Sequence, residues 1–375
     1  MIEVASLPQL QSEVRACVKN EAELLRKHCE LVRELRGRIR RIHPYSTTAV
    51  AFVGTDGGNN EIEYDPFLVQ LIRVVDSSNE EYCLEVITPR TPMRAIDERH
   101  IDPDGRGTTP LGRMMEALGV RRFVDLSQTT DNDSERKPSW ILAYRELTEW
   151  AILLDLVRTR EFATDTIILQ DGLLRSKVFG KHFRQYVSLL DDAIANQYKR
   201  SRRRIYVAGI AKQSKILQTF QLSMSLEGIL RTAYPAYVEV SERIQREVIK
   251  WDEYIRRFSV LDDGRQVFNA GRMYWVKFGS LPHDPIWTVD LLESQADQAD
   301  TILGYVLNDA VPGFPIPYYP FCLQRAHEHA ALVDLDLDIL QDEVLDALRE
   351  LLGKKSPLVD EGRLQVGDIT QRRYS

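Results

Sequence analysis

The sequence alternates between short apolar runs and longer amphipathic stretches, a pattern typical of mixed α/β proteins. Between residues 8 and 41, apolar side chains recur at spacings of three, four and seven, which predicts a long N-terminal helix. Three apolar or alternating runs follow it, separated by turn-forming residues. They predict three successive strands, which we expect to form an antiparallel meander, at residues 48–55, 67–75 and 81–87.

The middle of the chain begins with the least regular stretch, residues 88–138. A long excursion of this kind is predicted to be an insertion, with a short helix near residues 113–118. The pattern then becomes regular again. It predicts an apolar helix followed by two buried strands on either side of a second helix, at residues 139–160, 166–170, 180–199 and 204–211.

The C-terminal part is predicted to contain helices across residues 213–262, a strand hairpin, a helix or strand at 293–308, and final helices across 321–352. The hairpin strands are predicted at 271–278 and 286–292. The whole order predicts an α/β fold with a ribonuclease-H-like mixed sheet flanked by helices, a long N-terminal helix and C-terminal helices. We predict a helical segment at 1–45 for dimer or partner contacts, one domain at 46–352 that contains the insertion, and a tail at 353–375.

Composition narrows the class of protein. With 43% hydrophobic and 28% charged residues, the chain has the profile of a soluble globular protein. No apolar run approaches the ~20 residues of a membrane helix, and the N-terminus does not resemble a secretion signal. The four cysteines are scattered without a CxxC pair, which favours a reducing cytoplasm and argues against a zinc cluster.

The net charge of −7 does not suggest a protein that coats DNA, but basic residues are locally concentrated. One cluster places five cations within residues 199–204, and the other lies within residues 33–41. Phosphate binding depends on local charge, because salt screens fields beyond roughly 8 Å. Each cluster is therefore either a nucleic-acid contact or a solvated face with ion pairs.

Two apolar runs end in the same dipeptide, in FVGTDGG at Asp56 and in IILQDGL at Asp171. Asp-Gly is a common turn, so a single occurrence carries little weight. However, ligands gather at the carboxyl ends of strands in open α/β sheets. If both strands are central and parallel, the two carboxylates lie close together, and a divalent cation between them would relieve their repulsion.

Other polar residues fit such a site. Glu146 and Glu149 share a face of the predicted helix 139–160, and Asp155 is a further candidate acid on it. Lys212 follows a buried strand, where an amine can stabilise charge on a phosphate. Tyr319 and His327 stand eight residues apart before and within the last helices, and imidazole is a common metal ligand.

Taken in order, these motifs resemble those of the NurA nuclease family over about residues 48–335. The resemblance rests on TDGG at 55–58, a Glu at 146 or 149, LQDG at 169–172, GIAKQS at 209–214, and finally Tyr319-Pro320 and Ala326-His327. It implies a ribonuclease-H-like fold and a manganese-dependent DNA nuclease, with Mg²⁺ as the alternative ion. It also implies 5′-to-3′ exonuclease activity, often with single-strand endonuclease activity.

The resemblance further implies a homodimer that works with a hexameric HerA-type ATPase translocase in DNA end resection, repair or defence. It implies metal binding by Asp56, Glu149 (or Glu146), Asp171 and His327, with Tyr319 beside them. Lys212 would assist the phosphate, and Arg200, Arg202 and Arg203 would guide the DNA backbone.

Two other functions remain open from the sequence. One is a non-catalytic adaptor that binds DNA or the translocase with the same fold. The other is an actin-like ATPase or sugar kinase, which normally needs two ribonuclease-H-like halves and a glycine-rich adenosine motif. The sequence contains one such half and lacks that motif.

Overall fold

A computed structural model of the chain describes residues 6–45, 50–64, 67–127, 139–256, 266–331 and 334–353. The chain divides into two compact units. The first comprises Met1–Gly54 and Val157–Gln324, and the second comprises Thr55–Leu156 and Arg325–Ser375.

The described residues contain nine strands. In chain order they are β1 (Arg40–Arg41), β2 (Val50–Tyr64), β3 (Phe67–Asp76), β4 (Glu81–Ile87), β5 (Asp165–Asp171), β6 (Ile205–Ala211), β7 (Ala236–Glu239), β8 (Gly271–Lys277) and β9 (Ile286–Leu292).

Twelve α-helices accompany them within the same described ranges. They are α1 (Leu7–Asn20), α2 (Ala22–Arg33), α3 (Met93–His100), α4 (Pro110–Ala117), α5 (Phe123–Leu126), α6 (Ser139–Thr159), α7 (Phe183–Ser201), α8 (Lys215–Glu227), α9 (Glu242–Val248), α10 (Ala299–Ala310), α11 (Phe321–Ala330) and α12 (Asp334–Leu352). None of these helices is both long and apolar enough to span a membrane.

The first unit is built on a six-strand mixed sheet with the order β1-β7-β8-β9-β6-β5. Only β5 and β6 run parallel, and the remaining pairs are antiparallel. The first six residues of β6 are buried on both faces, as expected for a strand of an α/β sheet covered by helices. The helix connecting β5 to β6 is α7, which buries Phe183, Tyr186 and Leu190.

The two faces of this sheet carry separate apolar cores. On one face, Ile167 and Ile210 pack with α10 residues such as Ile302 and Val306. On the other face, Trp275 packs with Phe220 of α8 and with residues of α2. Helices therefore cover both faces, which leaves the ends of the strands as the polar part of the sheet.

The second unit contains the meander of β2 (from Thr55), β3 and β4, together with helices α3 to α5 and α6 as far as Leu156. β3 pairs antiparallel with both neighbours. Helix α6 is strongly buried, with Trp140, Tyr144 and Trp150 almost inaccessible to solvent. Arg113 of α4 forms a two-pronged ion pair with Asp155 of α6, at 2.7 and 2.8 Å, which fastens the two helices together.

The predicted fold class is confirmed, because a mixed sheet is flanked by helices in the predicted order. The meander, the buried strands β5 and β6, the β8–β9 hairpin and the helices at 139–160, 180–199 and 321–352 are all present, with shifted ends. Residues 293–308 are helical, as a 3₁₀ turn followed by α10.

Three predicted elements were wrong in detail. The helix predicted at 8–41 is interrupted at Glu21 and ends at Arg33, because Arg40 and Arg41 pair with β7 instead of continuing a helix. Residues 213–262, predicted to be helical, include a short strand, β7, with the sequence AYVE. The predicted insertion contains three helices, α3 to α5, up to residue 127.

Some predictions fall outside the described residues. These are residues 48–49 of the first predicted strand, 128–138 of the insertion, 257–262 and 332–333 of the predicted helices, and all but the first residue of the tail. The division into the segments 1–45, 46–352 and 353–375 stays a prediction.

Candidate functional site

The parallel pair of β5 and β6 brings a carboxylate and an amine to the same end of the sheet. Asp171 is the last residue of β5 and stands in register with Ile210, while Lys212 directly follows β6. The Lys212 ammonium Nζ lies 2.5 Å from Asp171 Oδ2. Both side chains keep solvent access, with 26% of Lys212 and 16% of Asp171 exposed. Ligands can therefore reach the pair.

Tyr319 completes this cluster. Its hydroxyl donates to Asp171 Oδ1 at 2.9 Å and also lies 3.2 Å from the Ile210 carbonyl oxygen. The Lys212 ammonium lies 5.7 Å from the centre of the Tyr319 ring, within the range of a cation–π contact. Each oxygen of the Asp171 carboxylate thus has a partner, and its orientation is fixed by two side chains from different parts of the chain.

Packing holds Tyr319 in place. Its ring is fully buried and meets the Trp287 ring edge-on, with 4.9 Å between the ring centres. The proline-rich loop before it is fixed by the buried Gln324, whose side chain hydrogen bonds to both backbone groups of Ile316 and to the Tyr319 carbonyl. A Cβ at Gly313 would lie 2.3 Å from the Tyr319 carbonyl oxygen, so this close approach needs glycine.

The backbone conformation of the residue after Asp171 favours glycine. Gly172 has φ of +125°, a conformation that L side chains rarely adopt. Its carbonyl crosses over β6 so closely that a Cβ on Gly209 would lie 2.3 Å from it. The Asp-Gly dipeptide therefore ends β5 and turns the chain across β6, while the Asp171 carboxylate stays at the edge.

Asp56 lies in a different setting from the predicted one. β2 continues to Tyr64, and Asp56 pairs with Val75 while Gly57 and Gly58 pair with Val74 and Arg73. The expectation that a strand ends at Asp56 in a Gly-Gly turn was wrong, because pairing with β3 extends the strand through both glycines. The Asp56 side chain lies outside the described part of the structure, so its role and its distance from Asp171 stay predictions.

The remaining candidate metal ligands belong to the second unit. Glu146 and Glu149 are both half-buried on α6, and Glu149 lies 3.4 Å from Arg145. His327 is exposed on α11. Asp155 is engaged by Arg113. Among the described side chains, no group of three or more His, Cys, Asp or Glu residues is arranged to hold a metal ion. The predicted ligand set therefore remains a prediction.

The chemistry of that set nevertheless suits a hard divalent cation, since carboxylates and imidazole are ligands that Mn²⁺ and Mg²⁺ accept. The Asp171 carboxylate already stabilises one positive charge, the ammonium of Lys212.

The predicted DNA-contacting arginines lie elsewhere in the first unit. Arg200 and Arg202 are at the C-terminal end of α7, and Arg203 precedes β6. Lys212 follows the other end of β6, so about 25 Å of extended chain separates it from this cluster. The arginines therefore do not adjoin the Asp171 cluster.

Two supporting residues were missed by the sequence interpretation, Trp287 and Gln324. A tryptophan within a hairpin and a glutamine within a helix carry no local signal of a contact with Tyr319. Their roles follow only from the packing of β9 and α11.

Comparison with known proteins gives a family match over most of the chain. The model of the NurA domain family matches residues 50–332. No curated protein sequence matched the chain.

Solved structures of low similarity were also found. The NurA nuclease from Sulfolobus solfataricus is 13% identical, with 95% of this chain and 98% of that chain covered and a TM-score of 0.41. A structure described as NurA is 11% identical, with 89% and 98% covered and a TM-score of 0.42. A structure described as NurA with manganese is 11% identical, with 89% and 98% covered and a TM-score of 0.38. TM-scores this low do not support transfer of site geometry.

Proposed function

The chain belongs to the NurA family, and from that premise we propose that it is a metal-dependent nuclease that hydrolyses DNA phosphodiester bonds. The observation that carries the proposal is the meeting of Asp171, Lys212 and Tyr319 at the end of the parallel strands. A carboxylate beside an amine, at a strand end open to solvent, suits a reaction on an anionic phosphate.

Lys212 and Tyr319 each have a role beside Asp171 in the proposed reaction, and Trp287 supports Tyr319. Lys212 would stabilise the charge that develops on the phosphate oxygens, since its ammonium sits at the solvent-accessible edge. Tyr319 would hold the Asp171 carboxylate in one orientation through its hydroxyl. Trp287 packs against the Tyr319 ring and so helps to fix the position of the Tyr319 hydroxyl.

The metal ligands we propose are those of the family resemblance: Asp56, Asp171, His327 and Glu149, with Glu146 as the alternative to Glu149. A bound Mn²⁺ or Mg²⁺ would supply Lewis-acid stabilisation and lower the pKa of a water molecule. The choice of Mn²⁺ follows the resemblance.

The test is cleavage of single- and double-stranded DNA labelled at the 5′ end, with Mn²⁺, Mg²⁺ or EDTA. We expect cleavage with Mn²⁺ and none with EDTA. A 5′-to-3′ exonuclease releases the label as a mononucleotide in its first turnover, whereas an endonuclease produces labelled fragments of intermediate length. The matched variants are Asp171→Asn and Asp165→Asn, which alter the two ends of the same strand, β5. Only the first should abolish cleavage.

A second candidate is a non-catalytic adaptor that binds DNA or the translocase. It is favoured by one observation, namely that both Asp171 oxygens are already engaged by Lys212 and Tyr319. An absence of cleavage under every metal condition, together with DNA binding that does not depend on Asp171, would support the adaptor and contradict the nuclease.

The proposed assembly is a cytoplasmic homodimer that acts with a hexameric HerA-type ATPase in DNA end processing, repair or defence. This part rests on the resemblance. Light scattering of the purified chain should give twice the mass of 43.2 kDa. Addition of such an ATPase with ATP should accelerate cleavage of long duplexes. A monomer that cleaves DNA at a rate unaffected by the ATPase would contradict the assembly and leave the nuclease proposal intact.

A further inference from the structure

A groove of about 440 Å³ lies at the end of β6 that is remote from Lys212. Tyr198 of α7, Arg204 and Tyr206 line it, together with the small apolar residues Ile194 and Ala195. All of these residues belong to the first unit, and the proposed catalytic cluster does not include any of them. The groove therefore needs an explanation of its own.

Two tyrosines and one arginine, Arg204, line this groove, and Arg202 lies beside it against Tyr198. The Arg202 guanidinium lies 5.8 Å from the centre of the Tyr198 ring, and 41% of Tyr198 is exposed. Arg202 has φ of +58°, and in this left-handed conformation its backbone N–H caps α7 by donating to the Tyr198 carbonyl. The left-handed conformation costs free energy at a non-glycine residue, so the surrounding structure has to stabilise Arg202 in its position above the ring.

The local charge is positive and only weakly neutralised. Arg200 donates to the amide oxygen of Gln197 and Arg202 stacks on Tyr198, so the partners of these two guanidinium groups are uncharged. Lys199 and Arg203 add two further exposed cations. The acids at the groove are Asp191, which accepts from Ser294, and Asp165, which accepts the Arg204 backbone N–H. Of the basic cluster, Arg204 lines the groove and Arg202 lies on the Tyr198 ring beside it, whereas Arg200 lines a neighbouring pocket with Asp192.

The second basic cluster makes a useful contrast. Arg33 and Arg36 both bind the carboxylate of Glu227, and Arg40 lies 3.7 Å from Asp300. Most of the positive charge of that cluster is thus neutralised by ion pairs within the fold. The cluster at residues 199–204 keeps its charge available for an external anion.

We propose that this groove is a second binding site for single-stranded DNA, separate from the catalytic cluster. Exposed tyrosine and arginine side chains form a stacking platform for an unpaired base, and the neighbouring cations bind the phosphates on either side of it. Duplex DNA does not offer its base faces, so the platform selects a single strand. The proposal rests on the proposed function, because it takes DNA to be the substrate.

The spacing defines what such a site does. About 25 Å of β6 separates Arg204 from Lys212, and about seven nucleotides of a stacked strand span this distance at about 3.4 Å each. Because helices cover both faces of the sheet, a DNA strand has to pass around them and needs more nucleotides than that. A strand of 20 nucleotides can occupy the groove and the catalytic cluster together, whereas one of four cannot. The groove then retains a long strand while its end is cleaved.

The first test compares two exposed tyrosines that each carry a stacked arginine. Tyr198 is the test position, and Tyr234, 36% exposed with Arg41 at 5.2 Å from its ring centre, is the matched control. Binding of fluorescein-labelled dT20 is measured by anisotropy in EDTA. Tyr198→Ala should weaken binding about tenfold, as expected for loss of one stacked base, and Tyr234→Ala less than twofold.

The second test measures how binding depends on salt. Loss of one phosphate contact should reduce the slope of log Kd against log salt concentration by about 0.7 for a single strand. We expect this change for Arg204→Ala and its rescue by Arg204→Lys, which keeps the charge. Arg38→Ala removes the same charge from the other basic cluster and should leave the slope unchanged.

The outcomes separate this proposal from the nuclease itself. With Mn²⁺, Tyr198→Ala should raise KM for dT20 about tenfold with kcat within twofold, and raise KM for dT4 much less. Equal effects of Tyr198→Ala and Tyr234→Ala on dT20 binding would overturn the second site even if the wild type cleaves DNA. Failure of the wild type to cleave, with binding still dependent on Tyr198, would overturn the nuclease and leave the site.

Discussion

Each unit of this protein contains a carboxylate that receives a tyrosine hydroxyl and a cationic side chain. In the first unit, Asp171 has Tyr319 and Lys212 as partners. In the second unit, Glu85 of β4 has Tyr144 and Arg99. The two carboxylates are almost equally exposed, at 16% and 13%. The residue types in the two clusters and the burial of their carboxylates therefore do not distinguish a reaction site from a structural cluster.

The surroundings of the two clusters differ. The hydrogen-bond chain at Glu85 runs inward, because Tyr144 also contacts His100 Nε2 at 2.6 Å and His100 Nδ1 contacts Thr109 Oγ1 at 2.7 Å. Thr109 caps the start of α4 by accepting the Gly112 N–H. Since the Tyr144 hydroxyl donates to Glu85, its oxygen accepts from His100 Nε2–H, and Thr109 donates to Nδ1. This chain ties α3, α4 and α6 to β4 and is complete without a ligand.

The cluster at Asp171 instead stands where two parallel strands end, beside Gly172, whose missing Cβ would face open space. Burial raises the pKa of Tyr144 and lowers that of His100 to about 4. A search for perturbed pKa values alone would select the Glu85 cluster. Position in the sheet selects Asp171, and we give this criterion more weight, because a closed hydrogen-bond chain perturbs pKa values without any catalytic purpose.

The largest predicted difference between the two clusters is in DNA cleavage. Asp171→Asn should reduce kcat/KM about 10³-fold or more, equivalent to about 4 kcal/mol of transition-state stabilisation. Glu85→Gln should leave kcat/KM within about threefold while lowering the free energy of unfolding by about 1–3 kcal/mol, since Arg99 and Tyr144 lose a charged partner. Urea unfolding and cleavage rates of both variants check this. A Glu85→Gln enzyme with normal stability and no activity would reverse the comparison.

The second prediction concerns the pH dependence of stability. Because burial lowers the pKa of His100 to about 4, below its ordinary value near 6.5, the unfolded chain binds a proton more readily than the folded one. This contribution to stability is complete above pH ~6.5 and is lost as the pH falls toward 4. The loss of unfolding free energy between pH 7 and pH 5 should be about 2 kcal/mol.

Urea unfolding of the wild type and of His100→Gln at both pH values isolates the contribution of His100, because the two proteins share their other titrating groups. The wild type should lose about 2 kcal/mol more than the variant on acidification. Parallel losses in the two proteins would show that His100 is not kept neutral by the fold. Glu85 and Arg99 oppose one another in this respect, the first raising and the second lowering the pKa of His100.

The sequence pattern placed Asp171 and Lys212 at strand ends and missed the second cluster, for a physical reason. Asp171 and Lys212 each follow a mostly apolar run, so their positions can be inferred locally, whereas Tyr319 was placed beside them only by the family resemblance. Glu85 and Tyr144 are 59 residues apart, and their contact depends on how α6 packs against β4. His100 lies within residues 88–138, whose polar sequence gave no sign of helices α3 and α5.

At Asp56 the sequence pattern predicted a strand end that the structure does not have. Glycine has a low strand propensity, so TDGG was interpreted as a turn, but pairing with β3 carries β2 through both glycines to Tyr64. Pairing between strands is a tertiary effect that no local pattern reports. The same limit applies to β7, a four-residue strand that exists because β1 and β8 flank it.

The smallest effects we predict come from the two tyrosine hydroxyls. Tyr319→Phe removes the hydrogen bond to Asp171, so the carboxylate keeps Lys212 but loses its fixed orientation. We expect kcat to fall about tenfold with KM within about twofold, because the hydroxyl is a positioning group, and the unfolding free energy to fall by about 1 kcal/mol, because the Ile210 carbonyl also loses this partner. Tyr144→Phe leaves His100 and Glu85 without a shared partner, and it should cost about 1–2 kcal/mol of stability with kcat unchanged. Equal losses of kcat in the two variants would mean that the position at the strand end does not distinguish the clusters.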